Sequence, residues 1–364
     1  MLWILIIPVL PYFFLLLFIC RNLISIRVYR NNFKPGLKAS VVVACKNEEK
    51  NLPLILGDLY SQDYPPELFE VIIVDDNSTD TTFEIASEYK QFKSLKVIRN
   101  NGKGKKSAIR TGIEAADNEI IMTTDADCRL RKDWIRNIAT FYEENKPDLL
   151  IGPVMLEDKP GFFNKFQELE FLSLQGITAG TAAAGNPVMC NGANLSFTKK
   201  TYYKHSHNLH DEIASGDDIF FLQSLKKDTG VKIMWLNVED STVITDPAKS
   251  AGSFIRQRAR WISKAKAYDD SYTTLLAIVT FVTILDMICL FIAGIFSPSF
   301  LVLFAILISI KSIPDLIILV VTARRYGNPG LLFWFLPAQI VYPFYVVAVT
   351  VFAITGKSKW RKDN

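Results

Sequence analysis

The apolar and polar positions divide the chain into three stretches. Residues 1–20 carry no charge and end at Arg21. About 20 apolar residues suffice to cross a bilayer, so this run predicts a membrane anchor over residues 1–21. A cleaved signal peptide would want a basic start and a small-residue cleavage site, and the run has neither. Three further apolar stretches, 275–296, 300–321 and 331–354, predict a membrane region over 271–356, followed by a basic tail at 357–364. Lys311, Pro314 and Asp315 interrupt the second stretch, and Pro337 and Pro343 the third. Such residues are costly in lipid, which predicts broken, tilted or re-entrant segments.

Residues 22–270 lie between and have ordinary globular composition, enough for a single core. Apolar runs at 39–44, 69–74, 95–98 and 119–123 read as buried strands, separated by helical patterns at 52–60, 81–89 and up to about Ala116. Strand and helix alternating at this spacing predict an α/β domain with a doubly wound, mostly parallel sheet. Past Asp148 the pattern changes. Residues 162–174 have apolar positions at helical spacing with an aromatic edge, which suits a core helix or a helix lying on a membrane surface. Residues 176–185 are small and read as a flexible link. Residues 189–197 return to strand character around a polar turn, and 219–225 read as an apolar helix.

Composition adds an orientation. The chain has 364 residues, 49% of them hydrophobic, and a formal net charge of +4. Arg21, Arg27, Arg30, Lys34 and Lys38 follow the first apolar run, and Arg256, Arg258, Arg260, Lys264 and Lys266 precede the second. By the positive-inside tendency, both clusters place the polar domain in the cytoplasm, at an inner or plasma membrane. The basic tail should be cytoplasmic too, although three full crossings would put it outside. The five cysteines are scattered without a CxxC pair, which fits a reducing compartment with neither disulfide framework nor zinc site. No nucleic-acid partner is expected.

The candidate chemistry collects where predicted strands end. Asp75 and Asp76 follow one strand, Asp125 and Asp127 another, and Lys103 and Lys105 flank Gly104 before a helix. Open α/β sheets bind ligands at this edge. Hard cations such as Mg²⁺ take one or two carboxylates plus phosphate oxygens, and a basic glycine turn at a helix start suits phosphate. Asp-capped turns and a solvated Gly-Lys turn are the plain structural alternatives. GxGxxG and GxxxxGK[ST] are both absent. Gly216-Asp217-Asp218 precedes a helix, where an Asp serves as a cap or, within reach of an acceptor hydroxyl, as a general base. His205, His207 and His210 with Asp211 and Glu212 have neither HExxH nor finger spacing, so a mobile loop near the acceptor is expected rather than zinc. Gln257, Arg260 and Trp261 share one helix face. Interfacial anchoring explains the Arg and Trp but not Gln257.

Taken in order, VVVACKNEE, IIVDDNSTD, NGKGKKSAI, TTDADC, NGANLSF, GDD and QRARW resemble the family 2 inverting glycosyltransferases. The likeness is to the membrane-bound QxxRW branch that includes ceramide glucosyltransferase, hyaluronan synthase and cellulose synthase. It covers residues from about 39 to 265. It implies a GT-A-type fold, a nucleotide-diphosphate sugar donor (a UDP-sugar), Mg²⁺ or Mn²⁺, and a membrane lipid or lipid-linked glycan as acceptor. By position it assigns Asp75 and Asp76 to base and ribose, and Lys103 or Lys105 to the donor. Asp125 and Asp127 match the DxD pair, with Asp127 the metal ligand. Asp218 matches the base, with Asp217 the alternative because Gly-Asp stands where the family has Thr-Glu. Gln257, Arg260 and Trp261 match the motif over the diphosphate, and Asn191, Gly192, Asn194 and Trp261 fall on the acceptor side. No Ser-His-Asp set or activated Cys is evident, and an inverting displacement needs none. The few predicted spans favour a discrete glycolipid over a polymer. A processive polysaccharide synthase is the alternative within the family, and a membrane nucleotidyltransferase or an inactive scaffold the alternatives outside it.

Overall fold

A computed structural model describes residues 7–29, 36–210, 213, 215–326 and 328–355. Residues 1–6, Arg30, Lys34, Asp211, Glu212 and the basic tail therefore lie outside the described residues. The chain divides into two units. One comprises Arg27–Glu157 with Met189–Asp246, the other Met1–Ile26, Asp158–Val188 and Pro247–Asn364. Residues 158–188 and 247–270, expected in the polar domain, thus group with the apolar helices. Elements are numbered in chain order, starting with α1 (Val9–Ser25) of the apolar-helix unit.

In the sheet unit, strand and helix alternate as predicted: β1 (Ala39–Cys45), α2 (Leu52–Tyr60), β2 (Phe69–Asp75), α3 (Thr82–Glu88), β3 (Leu95–Arg99), α4 (Lys105–Ala115) and β4 (Ile120–Asp125). β1, β2 and β4 are buried along almost their whole length, as strands of a sheet covered on both faces must be. At Gly112 of α4 a Cβ would lie 2.4 Å from Val42 Cγ1 of β1, so the missing side chain lets this helix lie directly on the sheet. Next come the two-residue β5 (Cys128–Arg129), α5 (Trp134–Asn145), β6 (Leu149–Ile151) and β7 (Val154–Leu156). The later part of the unit adds β8 (Leu195–Thr198), α7 (Lys199–His205), α8 (Asp217–Lys226), β9 (Ile233–Trp235) and β10 (Val243–Thr245). The main sheet has the order β3-β2-β1-β4-β8-β6-β9, and a small second sheet the order β5-β10-β7. The main sheet is parallel except for β8, which runs antiparallel to β4 and β6.

This order fixes where a ligand can sit. From β1 the chain builds outward through β2 and β3, then returns by α4 to place β4 on the other side of β1. The crevice at such a switch point is the binding site of open α/β sheets. The register aligns its walls: Asp75 stands opposite Cys45, and Asp125 opposite Ala44. Both acidic strand ends therefore flank the end of β1 at one level.

The apolar-helix unit holds α1, α6 (Phe162–Ala183), α9 (Ala251–Ser263), α10 (Ser271–Phe296), α11 (Pro298–Arg325) and α12 (Phe335–Ile354). α10, α11 and Pro329–Ile354 are long and apolar enough to cross a membrane. Two expectations are corrected here. Of the broken, tilted or re-entrant forms expected, the break is absent, for α11 runs unbroken through Pro314 and α12 through Pro343. Lys311 pairs with Asp315 one turn on, at 2.5 Å, so the two charges neutralise each other within the helix. Nor is 176–185 a flexible link, since α6 continues to Ala183. A Cβ at Gly176 would lie 2.5 Å from Ile318 Cγ2 of α11, and one at Gly180 2.7 Å from Ile19 of α1. These glycines let helix backbones approach closely, as small residues do between membrane helices.

Candidate active site

β4 delivers Asp125 at its last residue, and a two-residue turn then carries Asp127 before β5. Gly104, at φ 88°, is in a backbone region that favours glycine. It turns the chain into α4, whose first residue, Lys105, places Nζ 2.5 Å from Asp125 Oδ1. α8 begins after Gly216, also left-handed at φ 94°, and carries Asp217 and Asp218 in its first turn, where the helix dipole favours acids. Asp218 accepts the N–H of Gly192 on Oδ2 at 3.1 Å and that of Ile219 on Oδ1 at 2.8 Å. Gly192 lies beside both the base candidate and the lysine, for a Cβ there would sit 3.7 Å from Asp218 Cβ and 3.8 Å from Lys105 Nζ.

The electrostatics follow from this crowding. Burial works against the Lys105 ammonium, but Asp125, Asp217 and Asp218 outweigh it and hold the group charged well above the usual lysine range. Asp127 is reached by solvent from the open side, yet the protein around it limits its hydration. That desolvation, with the charges of Asp125 and Glu48, pushes its carboxyl up to about 6. Burial, and then the charges of Asp218 and Asp125, raise Asp217 in turn, with Lys105 pulling the other way. A cavity of about 30 Å³ lined by Phe197, Tyr202 and Phe221 backs the group and lowers the polarity behind it. Four carboxylates thus surround one ammonium, an excess of negative charge suited to a cation. Among the described residues no third His, Cys, Asp or Glu completes a cage. A metal held by Asp125 and Asp127 would therefore take its remaining ligands from a bound molecule's oxygens, as Mg²⁺ and Mn²⁺ do with phosphates.

Asp75 and Asp76 reach the same edge but are buried. Asp75 accepts the N–H of Ser78 at 3.3 Å. Asp76 takes Asn100 Nδ2 and the Gly104 N–H on Oδ1, at 2.8 and 2.9 Å, and Lys46 Nζ on Oδ2 at 3.3 Å. Its oxygens therefore bind the post-β1, post-β3 and pre-α4 turns together. Lys46 and Asn100 were missed in the sequence. Asn100 also accepts from the Gly102 N–H, Ser107 Oγ and Thr111 Oγ1. Its position directly after a strand on the acidic edge was the available signal. Of the two lysines flanking Gly104, Lys103 is exposed and Lys105 pairs with Asp125.

On the expected acceptor side the residues separate. Asn191 Oδ1 accepts the Ala193 N–H at 3.0 Å and shapes the turn that offers Gly192 to Asp218. Asn194 is corrected to a structural role. Its Nδ2 donates to the carbonyls of Pro153 and Ser241, at 2.8 and 2.9 Å, and its Oδ1 accepts Trp134 Nε1 at 3.0 Å. It is 1% exposed and has no face to offer a ligand. Gln257, Arg260 and Trp261 lie on α9, in the apolar-helix unit. There the neighbouring Arg258 is the hub. It pairs with Glu170 at 2.7 Å, donates to Gln257 Oε1 at 2.7 Å and lies 4.1 Å over the Trp261 ring.

The histidines do not converge. His205 Nε2 is 3.5 Å from Asp228, while His210 packs 4.6 Å from the Phe220 ring. The stretch expected to be a mobile loop is tied at Leu209 and His210, whose carbonyls accept from Lys106 Nζ at 2.5 and 2.7 Å.

Comparison with known proteins places this geometry in a class. Residues 40–206 match the family Glycosyl transferase family 2. Its mostly parallel α/β sheet is of GT-A type. Overall the chain superposes on the mannosyltransferase PcManGT from Pyrobaculum calidifontis, solved with GDP-Man and Mn²⁺, with a TM-score of 0.60 over 98% of this chain and 100% of that one; at 18% identity the shared feature is the fold. In sequence it is 32% identical to a beta-monoglucosyldiacylglycerol synthase of Nostoc sp. over 40% of this chain and 32% of that protein. It is 26% identical to the poly-beta-1,6-N-acetyl-D-glucosamine synthase of Staphylococcus epidermidis over 61% of this chain and 53% of that protein. The chain thus spans between about a third and half the length of these curated relatives.

Proposed function

We propose that this protein transfers a sugar from a nucleoside diphosphate sugar, a UDP-sugar, to a membrane lipid or lipid-linked glycan, with inversion at the anomeric carbon. The observation that carries the reading is the meeting of Asp125, Lys105 and Asp218 at the switch point of the sheet. Displacement of a diphosphate needs a base on the acceptor side and positive charge at the leaving group. Asp218, oriented by two backbone N–H groups, is the base, with Asp217 the alternative. Lys105 supplies fixed positive charge. Asp127 and Asp125 would hold Mg²⁺ or Mn²⁺, which would supply positive charge for the leaving diphosphate. Asp75 and Asp76 build the wall of the nucleotide subsite. Gln257, Arg260 and Trp261 are assigned to the diphosphate on motif order alone. The lipid acceptor is supported by the three helices long enough to cross a membrane and by the name of the Nostoc relative. The basic residues flanking those helices support a cytoplasmic catalytic domain at the inner or plasma membrane.

The test supplies purified full-length protein with a panel of labelled nucleotide sugars, Mn²⁺ and a bacterial lipid extract. The reading expects label in an organic-extractable product from one donor. Free sugar phosphate, nucleotidyl transfer, or no turnover of any donor would contradict it.

A further inference from the structure

Three helices of the apolar-helix unit bring one buried polar set together beside the QRARW sequence: Glu170 from α6, Arg258 from α9 and Tyr345 from α12. The Arg258 and Glu170 side chains are 5% and 7% exposed. Arg258 Nε and Nη2 both donate to the carboxylate, at 3.0 and 2.7 Å, a forked geometry that a guanidinium forms and an ammonium does not. Tyr345 OH donates to Glu170 Oε1 at 2.9 Å, and the Tyr345 ring stacks on Phe254 at 5.1 Å. α9 itself is held in place around this set. Ala259 packs with Val349 and Ala353 of α12. Gln167 of α6 exchanges two hydrogen bonds with the backbone of Ala248, just ahead of α9, at 3.1 and 2.9 Å.

A buried ion pair adds little net stability, for well-packed apolar residues in its place do as well. Its geometric consequence is more specific. The remaining arm of the fork, Arg258 Nη1, donates to Gln257 Oε1 at 2.7 Å. A guanidinium carries donors only, so the Gln257 amide must turn its oxygen toward Arg258 and its nitrogen away. Gln257 is half-buried, and its Nε2 has no partner among the described residues. Both N–H donors of that nitrogen are thus left for an anionic ligand. The same guanidinium lies 4.1 Å over the Trp261 ring, and Phe171 packs 6.4 Å from that ring. One buried group therefore sets both an amide and a ring of the motif.

We propose that Glu170, acting through Arg258, is a positioning residue for sugar transfer: it fixes the Gln257 amide with its N–H donors ready for the diphosphate of the sugar donor. Tyr345 locks the Glu170 carboxylate from the α12 side. The inference rests on the assignment of Gln257 to the diphosphate. An amide oriented in advance spares donor binding the cost of ordering a long side chain.

The test compares UDP with UMP as ligands of the purified full-length chain in detergent with Mn²⁺, by calorimetry, so that only the second phosphate differs. Glu170→Met, Arg258→Met and Tyr345→Phe are combined in one variant, which leaves no charge or hydroxyl of the set unpaired and should preserve Tm. The preference for UDP over UMP should fall about three- to tenfold, the worth of holding one long side chain in place, with UMP affinity unchanged. A structural role alone would leave the preference at its wild-type value. Arg258→Lys is the second variant. Its ammonium pairs with Glu170 but lacks the arm that reaches Gln257, so the same fall is expected, and it decides the matter if the combined variant does not fold. A wild-type preference in either folded variant would overturn the positioning role alone, as would equal weakening of UDP and UMP. Wild-type protein that binds UDP no more tightly than UMP would contradict the assignment of Gln257 to the diphosphate and remove the proposal with it.

Discussion

Replacing Asn194 by Ala should cost stability and leave acceptor preference unchanged. The side chain makes three buried hydrogen bonds, to Pro153 O, Ser241 O and Trp134 Nε1. Trp134 is 0% exposed, so its indole N–H would find no water. A buried group left without a partner costs roughly 1–3 kcal/mol, and water entering the space made by truncation recovers part of that at the two carbonyls. The expected loss is therefore about 3–5 kcal/mol, a large share of the ~5–15 kcal/mol that holds a domain folded. For a unit of this size each kcal/mol shifts Tm by about 2–4 °C, which predicts a fall of roughly 6–20 °C. Intrinsic tryptophan fluorescence during thermal unfolding in detergent gives the Tm. The residual activity of the folded fraction should show an unchanged acceptor KM. A variant that melts with the wild type and loses acceptor affinity would return Asn194 to the ligand and refute the structural role.

Lys105→Met removes the ammonium that Asp125, Asp217 and Asp218 hold charged. Losing a charge-assisted contact of about 1.5–3 kcal/mol should weaken donor binding about 10–100-fold by calorimetry, whereas Lys103→Met should leave it unchanged. Gly176→Leu drives a side chain into Ile318 and Thr322; overpacking of about 1–3 kcal/mol should appear as faster trypsin cleavage within α6, and wild-type resistance would speak against the close helix contact. His205 is held below the ordinary imidazole range by burial and Lys204, against the pull of Asp228. The unfolded chain then binds the extra proton below pH 6.5, so stability should fall as pH drops through that value and be flat above it. His205→Gln should flatten the decline between pH 7 and 5, and an unaltered slope would exclude this group as its source.

The sheet edge was legible because its signals are local and redundant. Long apolar runs of β-branched residues end in paired acids at β2 and β4, and a doubly wound order then forces those ends to one edge. Lys105 was legible only as one of two lysines. Choosing between them required knowing that α4 begins at Lys105 and that Lys103 faces solvent. Asn194 was misread because a polar turn beside a motif looks the same whether its amides face a ligand or the protein. Its partners Pro153, Ser241 and Trp134 are 41 to 60 residues away in sequence. β5, β6, β7, β9 and β10 span only two or three residues each, too few for any period to show. The glycines of α6 suggested flexibility, for the sequence does not carry the facing Ile318 and Ile19 that make them a packing surface. The prolines of α11 and α12 suggested breaks, and neighbouring helices support the continuous form instead.

The most direct test of the central claim compares wild-type protein with Asp218→Asn in a single-turnover assay with the preferred donor, Mn²⁺ and lipid acceptor. The substitution keeps size and removes the proton acceptor. Transfer should fall by about 10²–10⁴, the range for loss of a general base, with donor Kd nearly unchanged because Asp218 faces Gly192 rather than the Asp125–Asp127 pair. Turnover of Asp218→Asn near the wild-type rate would contradict the account and move the base to Asp217 or away from this site.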